Sequence, residues 1–129
     1  MSQPIDLPSS NESIAVELAD GRVMQNIRQQ NGETKTRIVA ISSDGGVNWE
    51  EVYLDAQLPS PVCQASIIDF QDADNQNLIL FSNPASQTRR EKLTVRASYD
   101  NGKTWPVKRE IRSGAVSYTH LTLPTILLV

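Results

Sequence analysis

Two eight-residue runs in this chain share one spelling. Ser42-Ser43-Asp44-Gly45-Gly46-Val47-Asn48-Trp49 and Ser98-Tyr99-Asp100-Asn101-Gly102-Lys103-Thr104-Trp105 both read Ser-x-Asp-x-Gly-x-x-Trp. The chemistry this spacing supports is local. An aspartate carboxylate can accept the backbone N–H groups of the turn that follows it. A glycine two positions on adopts positive φ without a Cβ clash. A tryptophan three positions further offers a large apolar face that can pack between strands. One copy would be a weak signal; two copies at matching places in a repeated pattern are a strong one.

Other chemistry is bounded by residue count. Cys63 is the one cysteine and His120 the one histidine of the 129 residues. No internal disulfide can form, and Cys63 reads as a small buried apolar residue. Structural zinc needs about four ligands, so a His/Cys metal cluster is excluded. No loop spells an all-oxygen calcium site, and no cofactor is expected. Net charge is −3, with both signs mixed along the chain. With no basic stripe, nucleic acid is not an expected partner. No run approaches the ~20 apolar residues of a membrane span, and Met1 to Pro8 is polar and proline-punctuated, unlike a signal peptide.

The elements that carry the two turns are short strands. Alternating or β-branched runs occur at Ser13 to Leu18, Arg22 to Arg28, Arg37 to Ser43 and Trp49 to Leu54, bounded by Asp, Gly and Asn. Asp20-Gly21 is a hairpin signal. The order recurs at Val62 to Phe70, Asn77 to Asn83, Lys92 to Tyr99 and Thr104 to Ile111. Trp49 and Trp105 stand 56 positions apart (105 − 49). Propeller blades of other families repeat at roughly 40–50 residues, so this period suits a four-stranded blade with loops. The expected fold is all-β.

The repeated turn resembles the Asp box of the sialidase superfamily, where it joins the third and fourth strands of a blade away from the active site. The resemblance implies that Ser42, Asp44, Gly46, Trp49, Ser98, Asp100, Gly102 and Trp105 are structural, and that neither Asp44 nor Asp100 is a catalytic acid. It extends over roughly Pro8 to Gly114. Asn11-Glu12-Ser13 resembles the segment holding the family's catalytic glutamate. Asp20-Gly21-Arg22-Val23, ending in Asn26-Ile27-Arg28, resembles the strand delivering the second arginine of the family's triad. Cys63-Gln64-Ala65-Ser66 resembles the Cys-Gln-Gly-Ser segment that begins the next blade. Phe81-Ser82-Asn83-Pro84, followed by Arg90-Glu91-Lys92-Leu93-Thr94-Val95-Arg96, resembles the segment delivering the third arginine.

The resemblance therefore implies a partial six-bladed β-propeller, with about two four-stranded antiparallel blades and the edge of a third. It implies retaining exo-hydrolysis of terminal sialic acids, with sialic-acid-terminated glycans as partners and an extracellular or periplasmic setting. Arg28 and Arg90 would clamp the sialic acid carboxylate, for which arginine's planar, permanently charged fork is suited. Arg89 and Arg96 are rivals of Arg90, the first expected in solvent and the second along the blade surface. Gln64 either lines the pocket or only packs the rim. A carboxylate nucleophile would be repelled by the substrate's own carboxylate; sialidases use tyrosine instead, and Glu12 would activate it.

The family's first triad arginine and its acid/base aspartate lie upstream of anything matched here. After Ser113-Gly114 the family pattern carries the nucleophile; here Val116 to Thr125 looks like a translated transposase-type sequencing adapter. The expectation is residues 1–114 as the propeller fragment and 115–129 as a non-native tail. Tyr118 nonetheless stands four after Gly114, at the expected nucleophile position, and is the provisional catalytic tyrosine. As a fragment the chain should be inactive. Two rival readings are a non-catalytic Asp-box propeller that binds glycans or partners, and a related intramolecular trans-sialidase or trans-glycosylase.

Overall fold

A computed structural model describes residues 10–30 and 34–115. Eight strands follow one another: β1 (Ser10–Glu17), β2 (Val23–Gln29), β3 (Thr36–Ser42), β4 (Glu51–Pro59), β5 (Ser66–Gln71), β6 (Asn77–Pro84), β7 (Glu91–Ser98) and β8 (Val107–Ala115). They form two four-stranded sheets, β1-β2-β3-β4 and β5-β6-β7-β8. Every pairing is antiparallel between neighbours in sequence. All-β architecture and the four-plus-four grouping agree with the sequence pattern. The expected edge of a third blade has no counterpart among the described residues, whose strands are all used in these two sheets.

Three boundaries differ from the pattern. β4 begins at Glu51 rather than Trp49, because the turn holds the chain through Asn48. β5 begins at Ser66 rather than Val62, because Val62 has a φ of 63° that no strand admits. β8 begins after Pro106, which has no N–H for a ladder.

Burial follows position in each sheet. Every residue of β3 is buried, as are all of β6 after Asn77, whereas β8 has only Ile111 partly covered. Central strands lie under side chains on both faces, so they read as continuous apolar runs rather than as alternation. The main core lies between the sheets and joins Val16, Met24, Val39, Ile41 and Leu58 of the first to Ile67, Ile79, Phe81 and Trp105 of the second. The opposite faces are apolar too: Ile27, Ile38 and Ala40 under Trp49 in the first sheet, and Leu78, Leu80, Val95 and Ala97 in the second.

Each sheet has two ends, and both sheets point the same way. At one end lie the β1–β2 hairpin and the two Asp turns. Here Asn101 Nδ2 donates to Asp20 Oδ2 at 3.3 Å, while Gln57 Nε2, from the far half of β4, reaches the Lys103 carbonyl at 3.0 Å. At the other end Asn83 Nδ2 donates to the Pro59 carbonyl at 2.7 Å, and Gln87 Nε2 to the Thr34 carbonyl at 3.0 Å. Hydrogen bonds thus tie sheet to sheet at both ends.

Candidate functional site

The Asp-turn end is built for holding. Ser42 Oγ donates to Asp44 Oδ1 at 2.7 Å and accepts the Gly46 N–H at 2.8 Å. Asp44 Oδ1 and Oδ2 accept the Asn48 backbone and side-chain N–H groups, both at 2.8 Å. The second turn repeats this, with Ser98 donating to Asp100 at 2.7 Å, Gly102 N–H donating to Ser98 at 2.8 Å and Thr104 N–H donating to Asp100 at 2.8 Å. Gly46 and Gly102 have φ of 90° and 85°, the region glycine enters freely. The hydrogen bonds from Asn48 and Ser42 pull the Asp44 carboxyl down to about 2. Burial works to raise Asp100, but the donations from Thr104 and Ser98 outweigh it and its pKa also falls. Each carboxylate accepts three hydrogen bonds from its own turn, which ties Asp44 and Asp100 to the turn itself.

The two tryptophans are not equivalent. Trp105 is 7% exposed, lies 5.8 Å from the Phe81 ring centroid, and donates from Nε1 to buried Asp55 Oδ2 at 3.2 Å. It is a strap between the sheets. Trp49 is half-buried on the outer face of the first sheet.

The chemically versatile groups collect at the other end. Glu12 sits near the start of β1 and Arg28 near the end of β2, and the register lays these stretches side by side. Arg28 Nη1 donates to Glu12 Oε2 at 2.9 Å. Glu12 remains exposed, whereas Arg28 has a buried Nε with no partner among the described residues. Gln64, just before β5, lines a cavity of about 300 Å³ together with Glu12, Ser13, Ile14, Arg37 and Ala65. Arg90, just before β7, donates from Nη2 to the Val62 carbonyl at 3.3 Å. Glu12, Arg28, Gln64 and Arg90 therefore share one end of the paired sheets. Arg89 is exposed. Arg96, expected along the blade surface, is instead buried at 7% exposure, and burial lowers its pKa.

One residue of this end was not picked out from the sequence. Arg37 is 1% exposed, and burial lowers its pKa to about 10. Its Nε donates to Asn26 Oδ1 and its Nη1 to the Cys63 carbonyl, each at 2.7 Å. An arginine opening a β-branched strand has no local mark of burial; the signal lies only in its pairing with distant groups. Tyr118 and His120 lie outside the described residues. The tyrosines that are described, Tyr53 and Tyr99, do not border the cavity. Tyr53 is in mid-β4, with its phenol pushed up to about 12 by burial. A second recess of about 280 Å³ lies at the Asp-turn end; its walls include Glu17 and Asp69 but no Lys or Arg. An anion would be repelled there and attracted at the arginine end. Among the described residues, no group of three or more His, Cys, Asp or Glu could hold a metal ion.

Comparison with known proteins bears on the family and the fold. The profile of the BNR repeat-like domain family matches residues 1–124. The chain is 44% identical over 117 residues to a sialidase of Micromonospora viridifaciens, covering 87% of this chain and 18% of that protein. It is 34% identical over 107 residues to a sialidase of Bacteroides fragilis, covering 80% of this chain and 19% of that one. The chain thus spans about a fifth of the length of these relatives. Among solved structures, the Hadza microbial sialidase Hz136 superposes with a TM-score of 0.75 at 33% identity, over 83% of this chain and 21% of that one.

Proposed function

The chain belongs to the family of BNR repeat-like domains, and on that footing we propose that it carries part of the active site of a retaining exo-sialidase with a six-bladed propeller. The carrying observation is the Glu12–Arg28 ion pair of 2.9 Å at a cavity of about 300 Å³, with Gln64 in its wall and Arg90 at the same end. Terminal sialic acids on glycans are the substrates. Arg28 and Arg90 take the carboxylate, each offering two N–H groups in one plane. The unused buried Nε of Arg28 supports this, since buried donors are rarely left without a partner. Glu12 withdraws the proton from a tyrosine nucleophile, and its pairing with Arg28 orients the carboxylate for that task. Tyr118 is the candidate nucleophile by its place in the sequence. Attack by a neutral phenol avoids bringing a second negative charge against the substrate carboxylate.

The chain by itself binds without turnover in this reading, because neither the first arginine of the triad nor the acid/base aspartate is matched in its sequence. Titration of the ¹⁵N-labelled chain with N-acetylneuraminic acid tests it. The Nε–H signals of Arg28 and Arg90 should move together along one binding curve. Arg28→Ala and Arg90→Ala should each weaken binding by about tenfold or more, the equivalent of about 1.5–3 kcal/mol for a hydrogen bond to a charged group. Stationary arginine signals up to tens of millimolar ligand would refute the proposal.

A further inference from the structure

The connection between β4 and β5 contains a β-branched residue in the left-handed region: Val62, at φ 63°. For such a side chain this conformation is an outlier, and it persists only where surrounding contacts impose it. Two contacts meet here. The Val62 carbonyl accepts Arg90 Nη2 at 3.3 Å, and the next carbonyl, that of Cys63, accepts Arg37 Nη1 at 2.7 Å. The arginines come from different sheets, Arg37 from β3 and Arg90 from just before β7. The following residue is Gln64, in the cavity wall. Arg37 Nε also holds Asn26, fully buried on β2 two residues before Arg28. Arg37 has no ion-pair partner among the described residues. Burying an unpaired guanidinium is unfavourable unless its hydrogen bonds are strong.

We infer that Arg37 is a positioning residue of the carboxylate-binding end. It clamps the strained Val62–Cys63 corner so that Gln64 stands in the cavity wall, and it fixes the stretch of β2 that presents Arg28. The inference rests on the functional reading above for the meaning of that end, but not for the clamp itself. Its physical content is a division: one guanidinium binds backbone and amide, while another, Arg28, keeps an unpartnered Nε–H for ligand.

The test uses the full ¹⁵N-labelled chain without any sugar, so its outcome is independent of sialic acid binding. In Arg37→Met the amide of Gln64 should exchange about tenfold faster, and the Cys63 and Ala65 amide signals should shift. Gly46 and Gly102, at the far end, should keep their exchange rates. Arg37→Lys retains the charge and one donor group and should restore part of the protection. Val62→Gly, which removes the strain, should leave Gln64 protected and reduce the effect of Arg37→Met in the double variant. If Arg37→Met fails to fold, Arg37→Lys decides, with faster exchange at Gln64 alone as the supporting result. Equal changes at Gln64 and Gly102 would show Arg37 to be a general core residue and overturn the inference, as would an unchanged Gln64.

Discussion

At the scale of the residue, carboxylates of one type do opposite work according to what donates to them. Asp44 receives a backbone N–H, an amide N–H and a hydroxyl from its own turn, and its pKa falls to about 2. A folded-state pKa below the unfolded value near 3.8 means that the ionised form is favoured by folding. The stabilisation is therefore full above about pH 4 and is lost as pH falls through the folded value near 2. Comparing Asp44→Asn with the parent by chemical denaturation between pH 6 and pH 2 should show a gap that closes below pH 4. A gap constant across that range would mean the carboxylate's charge has no part in the turn. Glu12 instead faces one arginine and stays exposed, which leaves it lone pairs for a proton. The turn aspartates were legible in the sequence because their partners lie within four positions. Arg37 was not, because its partners Asn26 and Cys63 lie 11 and 26 positions away.

Among the elements, β4 and the second Asp turn are joined by Asp55 and Trp105. Asp55 is 5% exposed and accepts from Trp105 Nε1 at 3.2 Å and from the Gln57 N–H at 2.9 Å. Trp105→Phe keeps an aromatic face against Phe81 but removes the donor. It should destabilise the chain by about 1–3 kcal/mol, the penalty for a buried acceptor left short of a partner. Trp49→Phe, on the half-buried outer face, should have the smaller effect. Urea midpoints for the two variants test this, and equal losses would contradict the strap assignment. Strand number, order and the place of each turn were readable from alternation and Gly/Asp/Asn punctuation, which are local signals. The inequality of the two tryptophans was not. It depends on which face of which sheet meets the other sheet, and identical eight-residue spellings carry no record of that.

Across the whole molecule, bonds tie the sheets together at both ends, while Glu12 and the arginines Arg28 and Arg90 collect at one. The strap runs from the second Asp turn to Asp55, the ladder partner of Arg37, and beyond it lie Glu12, Arg28, Gln64 and Arg90. The Glu12–Arg28 pair is exposed on its carboxylate side, at 55%, so it adds little to stability. Glu12→Gln should change the unfolding free energy by less than about 1 kcal/mol, measured by thermal or urea denaturation. A larger loss would show that this end also carries the fold. The Asp turns have a further consequence, for changes of chain length. A one-residue insertion between Gly46 and Glu51 would slide β4 by one step and turn each of its side chains to the other face. Asp55 would then point away from Trp105, and the junction of the two sheets would come apart. Between β2 and β3, or between β6 and β7, where no such repeated hydrogen-bonded turn sets the register, added residues should leave the strand pairing unchanged. Indels in such a chain should thus be filtered by location, with the frame-setting turns closed to them and the loops beside the arginines open. The surface beside the arginines would then be open to re-shaping by gain or loss of whole residues while the sheets stay in phase.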